Sequence, residues 1–488
     1  MFSKKQIVWV YAISLIFILI NAFFIAKELF FFSLLPFALV IAFYAFFSLD
    51  KLLFLIVFLT PLSIPLKEIA PGLDFDMQLP TEPLLFGVLI LFIFKLLVER
   101  KFDKKILTHP ITIAIFINLG WILITSLTST MPIVSIKFLI SRLWFVVAFY
   151  FLATQLFIKF ENISKYIWLY IISFIIVIGY TINNHLAYGL INQEAAHHVM
   201  DPFYNDHTSY GAMLAMFMPL LIGFIFNSRF SKLIKIISLV VLCIFITAII
   251  LSYTRAAWIG LVGALCVYIL VRLKIKFRTV FITSTVLLSL FFVFQTDIMI
   301  KLEQNNQDSS TDLTKHIKSM SNVSTDASNL ERINRWNCAM RMFEQRPFLG
   351  WGPGTYMFQY APFQLSYEKT IISTNAADGG NAHSEYIGPL SESGVLGSIT
   401  FIILIIVVIY TALKVYRQTE DREIKMLSMG MLLGLITYFI HGFLNNFLDT
   451  DKASVPFWGF IAVIVALDVY HQKPQKKKID FNTEEKEA

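Results

Sequence analysis

An all-α, polytopic transmembrane helical bundle is the fold class this sequence predicts, and three observations predict it. Hydrophobic residues make up 57% of the 488 and charged residues only 15%, with 48 Phe, a balance well outside the range of soluble domains. Apolar runs long enough to cross about 30 Å of hydrocarbon recur along the whole chain. Charge clusters and Pro/Gly turns punctuate these runs and divide the chain into about 12–14 spans.

In chain order, an N-terminal group of spans fills 1–185, at about 6–26, 29–49, 52–66, 83–98, 110–129, 133–158 and 164–185. The first begins with Lys4 and Lys5 but is too long for a cleaved signal and lacks a clear small-residue cleavage site, so it is expected to stay as an anchor. Loop 186–208 follows, and then region 209–297 with spans at about 209–227, 232–251, 255–271 and 279–297. A long loop, 298–384, leads to the last region, 385–471, with spans at about 385–413, 425–443 and 455–471, and a tail at 472–488.

Orientation follows from the cations. Arg100 to Lys105, Arg229 to Lys235, Arg272 to Arg278 and Lys414 to Lys425 fall in alternate loops, with Lys476 to Lys478 in the tail. The positive-inside rule places these loops and both termini in the cytoplasm. The net charge of +7 reflects this topology and not a nucleic-acid partner. Loops 186–208 and 298–384 then face outward. Cys243 and Cys266 lie in spans and Cys338 stands alone in the outer loop, which suggests neither a disulfide nor a thiolate metal site.

Within the long loop, 304–328 is polar with no aromatic residue and is expected to be mobile. Beyond it, Leu330, Ile333, Trp336, Met340 and Phe343 recur at helical spacing, and Ser328 with Glu331 fits a capping box, so 329–346 reads as an amphipathic helix lying on the membrane or the bundle. Arg332, Arg335, Arg341 and Arg346 occupy its other faces. Gly350, Gly352 and Gly354 then form a tight turn whose amides suit an anion. "NAHSEYIGPLSESGVLG" follows, with His383 at the mouth of the next span. In "SYTRAAWIGL", Arg255 separates two apolar runs at the outer boundary, and a guanidinium fork there suits phosphate oxygens. Arginines for an anion and a histidine for a proton, all facing outward, fit a lipid-linked sugar diphosphate.

Three blocks, "SYTRAAWIGL", "ERINRWNCAMRMFEQRPFLGWGPGTY" and "NAHSEYIGPLSESGVLG", in this order around a long outer loop, resemble the O-antigen ligase / O-antigen polymerase family of bacterial membrane glycosyltransferases. The resemblance covers roughly 200–400. It implies transfer of a glycan from undecaprenyl diphosphate to an acceptor hydroxyl on the periplasmic face of the inner membrane, with no cofactor and no metal. The acceptor is lipid A core for a ligase and a growing glycan for an O-antigen or exopolysaccharide polymerase, and a protein O-glycosylating relative shares the same pattern. Residue by residue, Arg255 and Arg332 match the family's diphosphate-binding arginines and His383 its catalytic histidine. Glu385, Arg335, His207 and Tyr253 are expected in support. Ala256 replaces the family's usual glycine and Ser384 its usual asparagine. The chemistry agrees: neutral imidazole, with a reference pKa of about 6.5, suits removal of the hydroxyl proton, and paired guanidiniums stabilise the leaving diphosphate. Attack opposite the leaving group is expected to invert the anomeric centre.

Other constellations carry less. Glu194, His197, His198, Asp201, Asp206 and His207 match no helix-borne zinc spacing, although Asn205, Asp206 and His207 suit an acceptor entrance. Asp74 and Asp76 form a DxD pattern, the basis of a rival, metal-dependent mechanism. A flippase of lipid-linked oligosaccharide would need charges at mid-depth, for which Arg142 is the best match.

Overall fold

The computed structural model describes residues 4–70, 72, 77–276, 327–370, 373–374 and 380–472, with scattered positions between 278 and 289. Asp74, Asp76, most of 279–297, the stretch 304–326 and the tail from 473 lie outside the described residues. The helices that matter here are, in order, α1 (Lys4–Ala26), α2 (Leu35–Phe47), α3 (Leu49–Leu59), α4 (Thr81–Glu99), α5 (Pro110–Leu127), α6 (Pro132–Leu156), α7 (Glu161–Tyr188), α8 (His207–Phe226), α9 (Lys232–Leu251), α10 (Arg255–Arg272), α11 (Ala327–Gln345), α12 (Gly388–Gln418), α13 (Arg422–His441) and α14 (Asp451–His471).

Among the described residues, 11 helices are long and apolar enough to cross a membrane, all of these except α2, α3 and α11. The protein is therefore an all-α, multi-pass membrane bundle, with fewer such helices than the expected 12–14 spans. The run 29–49 breaks into a 3-10 turn, Phe30–Leu34, and a 13-residue helix, α2. At a rise of about 1.5 Å per residue, α2 is too short for a bilayer core. The run 52–66 ends its 11-residue helix before a Thr60–Leu62 turn at Pro61, where the missing amide stops the ladder. The third missing span, 279–297, falls mostly outside the described residues.

Contacts divide the chain into two compact units, Met1–Ile56 and Val57–Ala488. In the first, Phe17 and Phe24 pack on Phe32 at ring separations of 5.6 and 4.9 Å. Most of its large apolar side chains are exposed, as suits a hydrocarbon surrounding. In the second, α13 packs against α8, α10 and α12, while α14 packs against α6. The only strands among the described residues, β1 (Ile64–Pro65) and β2 (Gln78–Leu79), form a small antiparallel ladder. Beside it, Ser63 and Thr81 donate to Asp451 Oδ2 at 2.6 and 2.5 Å, fixing the start of α14.

The helices of this unit alternate in direction. The starts of α8, α10, α12 and α14 and the ends of α7, α9 and α13 therefore gather at one end of the bundle, together with α11 and its following loop. The basic loops gather at the other, where Arg229 donates to Asp421 at 2.9 Å.

Candidate active site

Between α9 and α10, the hydroxyls of "SYT" build a turn. Tyr253 adopts a left-handed backbone, φ 51°. Ser252 Oγ bonds back to Ile249 O at 2.8 Å, and Thr254 Oγ1 donates to His207 O at 2.7 Å. Gly211 permits this approach, because a Cβ there would come within 2.6 Å of the Thr254 side chain. Tyr253 Oη donates to Ile191 O at 3.2 Å, so its role is to tie this junction to loop 186–208. Arg255 thus leaves the first position of α10 beside the head of α8, and its charge reaches His207.

The loop helix α11 starts by Ala327, which puts Ser328 inside the helix and not at its cap. Its buried face is not the apolar stripe. Glu331, Asn334, Arg335, Cys338, Ala339 and Met342 are buried, at spacings of three and four, whereas Met340 of the expected stripe is 40% exposed. This face meets Tyr356, Tyr360 and Ala382, and α11 docks on α12. Most polar groups buried here satisfy one another, Arg335 Nη1 alone of this set lacking a hydrogen-bond partner among the described residues. Arg335 Nε donates to Glu331 Oε1 at 2.6 Å and Nη2 to Thr374 Oγ1 at 3.0 Å, and the guanidinium stacks over Tyr360 at 4.1 Å. Burial works to raise the Glu331 carboxyl, but hydrogen bonds from Ser373, Arg335 and Thr370 outweigh it and hold the group below the usual carboxylate range. Arg335 therefore anchors the loop. Arg332, one residue off that face, turns instead toward the α13–α14 connection, where Nε donates to Leu444 O at 3.1 Å.

The amides of the glycine turn after α11 already have an acceptor, and it is a side chain of the protein. Tyr356 N donates to Glu392 Oε1 at 3.0 Å, the Gly354 amide also reaches that carboxylate, and Gly352 N donates to Glu392 O at 2.8 Å. Gly352, at φ 118°, would bring a Cβ within 1.9 Å of Ser129 Oγ. The turn thus joins the second and third sequence blocks and leaves those amides engaged.

His383 sits at φ 47°, and its amide donates to Asn381 Oδ1 at 3.0 Å. Ser384 Oγ accepts from the amides of Tyr386 and Ile387 at 3.3 and 3.2 Å, a cap that either serine or asparagine can supply. Glu385 does not face the imidazole. Its carboxylate accepts from Tyr438 Oη, Phe447 N and Leu448 N at 2.7, 2.8 and 2.9 Å, locking the α13–α14 connection. Burial, and then the charge of Asp449, push Glu385 up to about 7. Arg142 is paired, donating to Asp449 Oδ1 at 2.9 Å.

Arg332 links the parts. Its charge reaches His383, His207 and His441, and Arg255 also reaches His207. Burial first, then Arg332 and Arg335, lower His383 to about 4 against the opposing pull of Asp206 and Glu331. His441 is a residue that sequence reasoning missed. It is 1% exposed and bonds Asn445 Nδ2 through Nε2 at 3.0 Å. The polar "HGFLNN" closing a span was its available signal. The rings of His197 and His207 lie 4.1 Å apart, but among the described residues no group of three His, Cys, Asp or Glu could hold a metal ion. A hollow of about 640 Å³ between α8, α10 and α13 lies toward the basic loops and contains none of these groups.

No curated protein matches the chain. Residues 240–402 match the family model described as O-antigen ligase, a stretch that includes several of the apolar helices long enough to cross a membrane. The resemblance of this chain to the O-antigen ligase family is established over 240–402, the stretch that carries Arg255, Arg332 and His383.

Proposed function

We propose that the protein transfers a glycan from an undecaprenyl-diphosphate carrier to an acceptor hydroxyl, as an O-antigen ligase acting on lipid A core at the periplasmic face of the inner membrane. The observation that carries this reading is that Thr254, the neighbour of Arg255, bonds His207 O at 2.7 Å, while the charges of Arg255 and Arg332 both act on His207 and that of Arg332 also on His383. The acceptor hydroxyl gives its proton to neutral His383 as its oxygen attacks the anomeric carbon. The bond from that carbon to the diphosphate oxygen breaks, and the electron pair leaves with the lipid diphosphate. Arg255 and Arg332 hold the departing charge, an effect typically worth about 3 kcal/mol per donor in oxyanion sites. In-line attack inverts the anomeric centre. The basic loops at the opposite end of the bundle support an outward-facing site and cytoplasmic termini.

The test is reconstitution with purified undecaprenyl-diphosphate glycan and a panel of acceptors, lipid A core and free repeat units among them, with product read by mass. Wild type is expected to form a lipid A core product, also in excess EDTA, and His383→Ala to form none while extracting from membranes normally. Extension of repeat units alone would make the protein a polymerase. Lipid movement without product would make it a flippase. Loss in EDTA restored by Mg²⁺ would move the mechanism to Asp74 and Asp76.

A further inference from the structure

Beside the His383 turn is a hollow of about 170 Å³, walled by Tyr204, Asn205, Asp206, Asn381, Asn446 and Phe447 among others. It is smaller than a typical drug-sized ligand site and of the order of one sugar ring. Asn381, which accepts from the His383 amide, forms part of the wall, so the hollow adjoins the turn that carries His383. Asn446 Oδ1 is buried with no hydrogen-bond partner among the described residues, and an orphaned buried acceptor costs free energy that a donating hydroxyl would offset. Asp206 Oδ1 caps α8 through the amides of Thr208 and Ser209 at 2.7 and 2.8 Å, adding a carboxylate to the same wall. Phe447, half-buried, supplies aromatic surface for the C–H face of a ring. Two aspartates, Asp206 and Asp451, against one lysine, Lys452, make the hollow a poor place for an anion. Neither Arg255 nor Arg332 lines it, so the ring joined directly to the diphosphate has its place elsewhere.

We propose that this hollow binds one uncharged sugar ring, that of the acceptor, and presents its hydroxyl to His383. The inference rests on the transferase reading for its role, but ring binding is measurable without turnover. The experiment is saturation-transfer NMR on the purified full chain in nanodiscs, with methyl glycosides of glucose, galactose and N-acetylglucosamine as probes. Wild type is expected to bind at least one probe, Asn446→Leu to weaken that binding about tenfold, the worth of a hydrogen bond, and Arg229→Ala, at the basic-loop end of the bundle, to leave it unchanged. Asn205→Ala, on the exposed rim, is expected to weaken it too and serves as the second variant if Asn446→Leu does not fold. Absence of binding by wild type, or binding that survives both substitutions, overturns the proposal. In the transfer assay, Asn446→Leu or Asn205→Ala is expected to raise the acceptor KM about tenfold with the donor KM unchanged. A rise in the donor KM alone overturns the acceptor assignment and moves the donor's ring into the hollow. Ring binding without any transfer by wild type would sink the transferase reading and not the binding site.

Discussion

His383 carries an unusual backbone and a displaced titration. Its φ of 47° costs a non-glycine residue about 1–2 kcal/mol, and the Asn381 and Ser384 bonds hold it there. Burial, Arg332 and Arg335 keep the imidazole near 4, so it is neutral and available as a base at pH 7. A base works above its pKa and fails as pH falls through it. A diphosphate on Arg332 cancels part of the charge that lowers the imidazole, so the pKa in the donor complex lies above that of the free enzyme. The expected outcome is a pH profile in which kcat/KM holds down to about pH 5 while kcat declines at a higher pH; coincident limbs would contradict this coupling. Glu385 gives a second expectation. Glu385→Gln keeps an acceptor oxygen for Phe447 and Leu448 and is expected to retain transfer within a few-fold. Glu385→Ala orphans the Leu448 amide and the Tyr438 hydroxyl and is expected to cost about 2–4 kcal/mol of stability by thermal unfolding. Inactivity of a stable Glu385→Gln would return this carboxylate to the chemistry. The departure of Ser384 from the family pattern has a local account, since its oxygen is spent on capping, a role for which serine and asparagine are near equals.

At the scale of elements, α11 shows what periodicity can and cannot reveal. Leu330, Ile333, Trp336, Met340 and Phe343 mark a helix here, but the face that packs is the mixed stripe from Glu331 to Met342, half of it polar. A hydrophobic pattern is blind to a face whose charges neutralise each other. The glycine turn was legible as a turn, whereas its partner Glu392 lies 38 residues beyond Gly354 and had no local signal. The two arginine pairs of α11 should then differ in weight. Arg335→Lys loses the Thr374 bond and the stack on Tyr360 at a buried site with 4% side-chain exposure and is expected to cost about 2–3 kcal/mol. Arg341→Lys alters a pair with Glu368 that is 26% exposed on the arginine side and is expected to cost under about 1 kcal/mol. Thermal unfolding of the purified variants reads both. Equal losses would mean that the buried pair does not anchor the loop.

Across the whole molecule, composition and hydropathy gave the fold class, and the cation pattern separated the two ends of the bundle. The number of spans was less legible, because apolarity alone does not register a 3-10 turn at Phe30–Leu34 or a proline stop at Pro61. The order of the three sequence blocks was readable, but not the way they meet. That depends on long-range contacts such as Thr254 to His207, Arg332 to Leu444 and Glu385 to Gly442, which pairwise spacing along a chain does not encode. The central claim is that Arg255, Arg332 and His383 serve one lipid diphosphate. A cryo-electron microscopy map of the protein in nanodiscs with undecaprenyl-diphosphate glycan tests it most directly. The account predicts diphosphate oxygens within about 3 Å of both guanidiniums, with the anomeric carbon on the His383 side. A diphosphate bound elsewhere, or held by a metal at the segment containing Asp74 and Asp76, would contradict it.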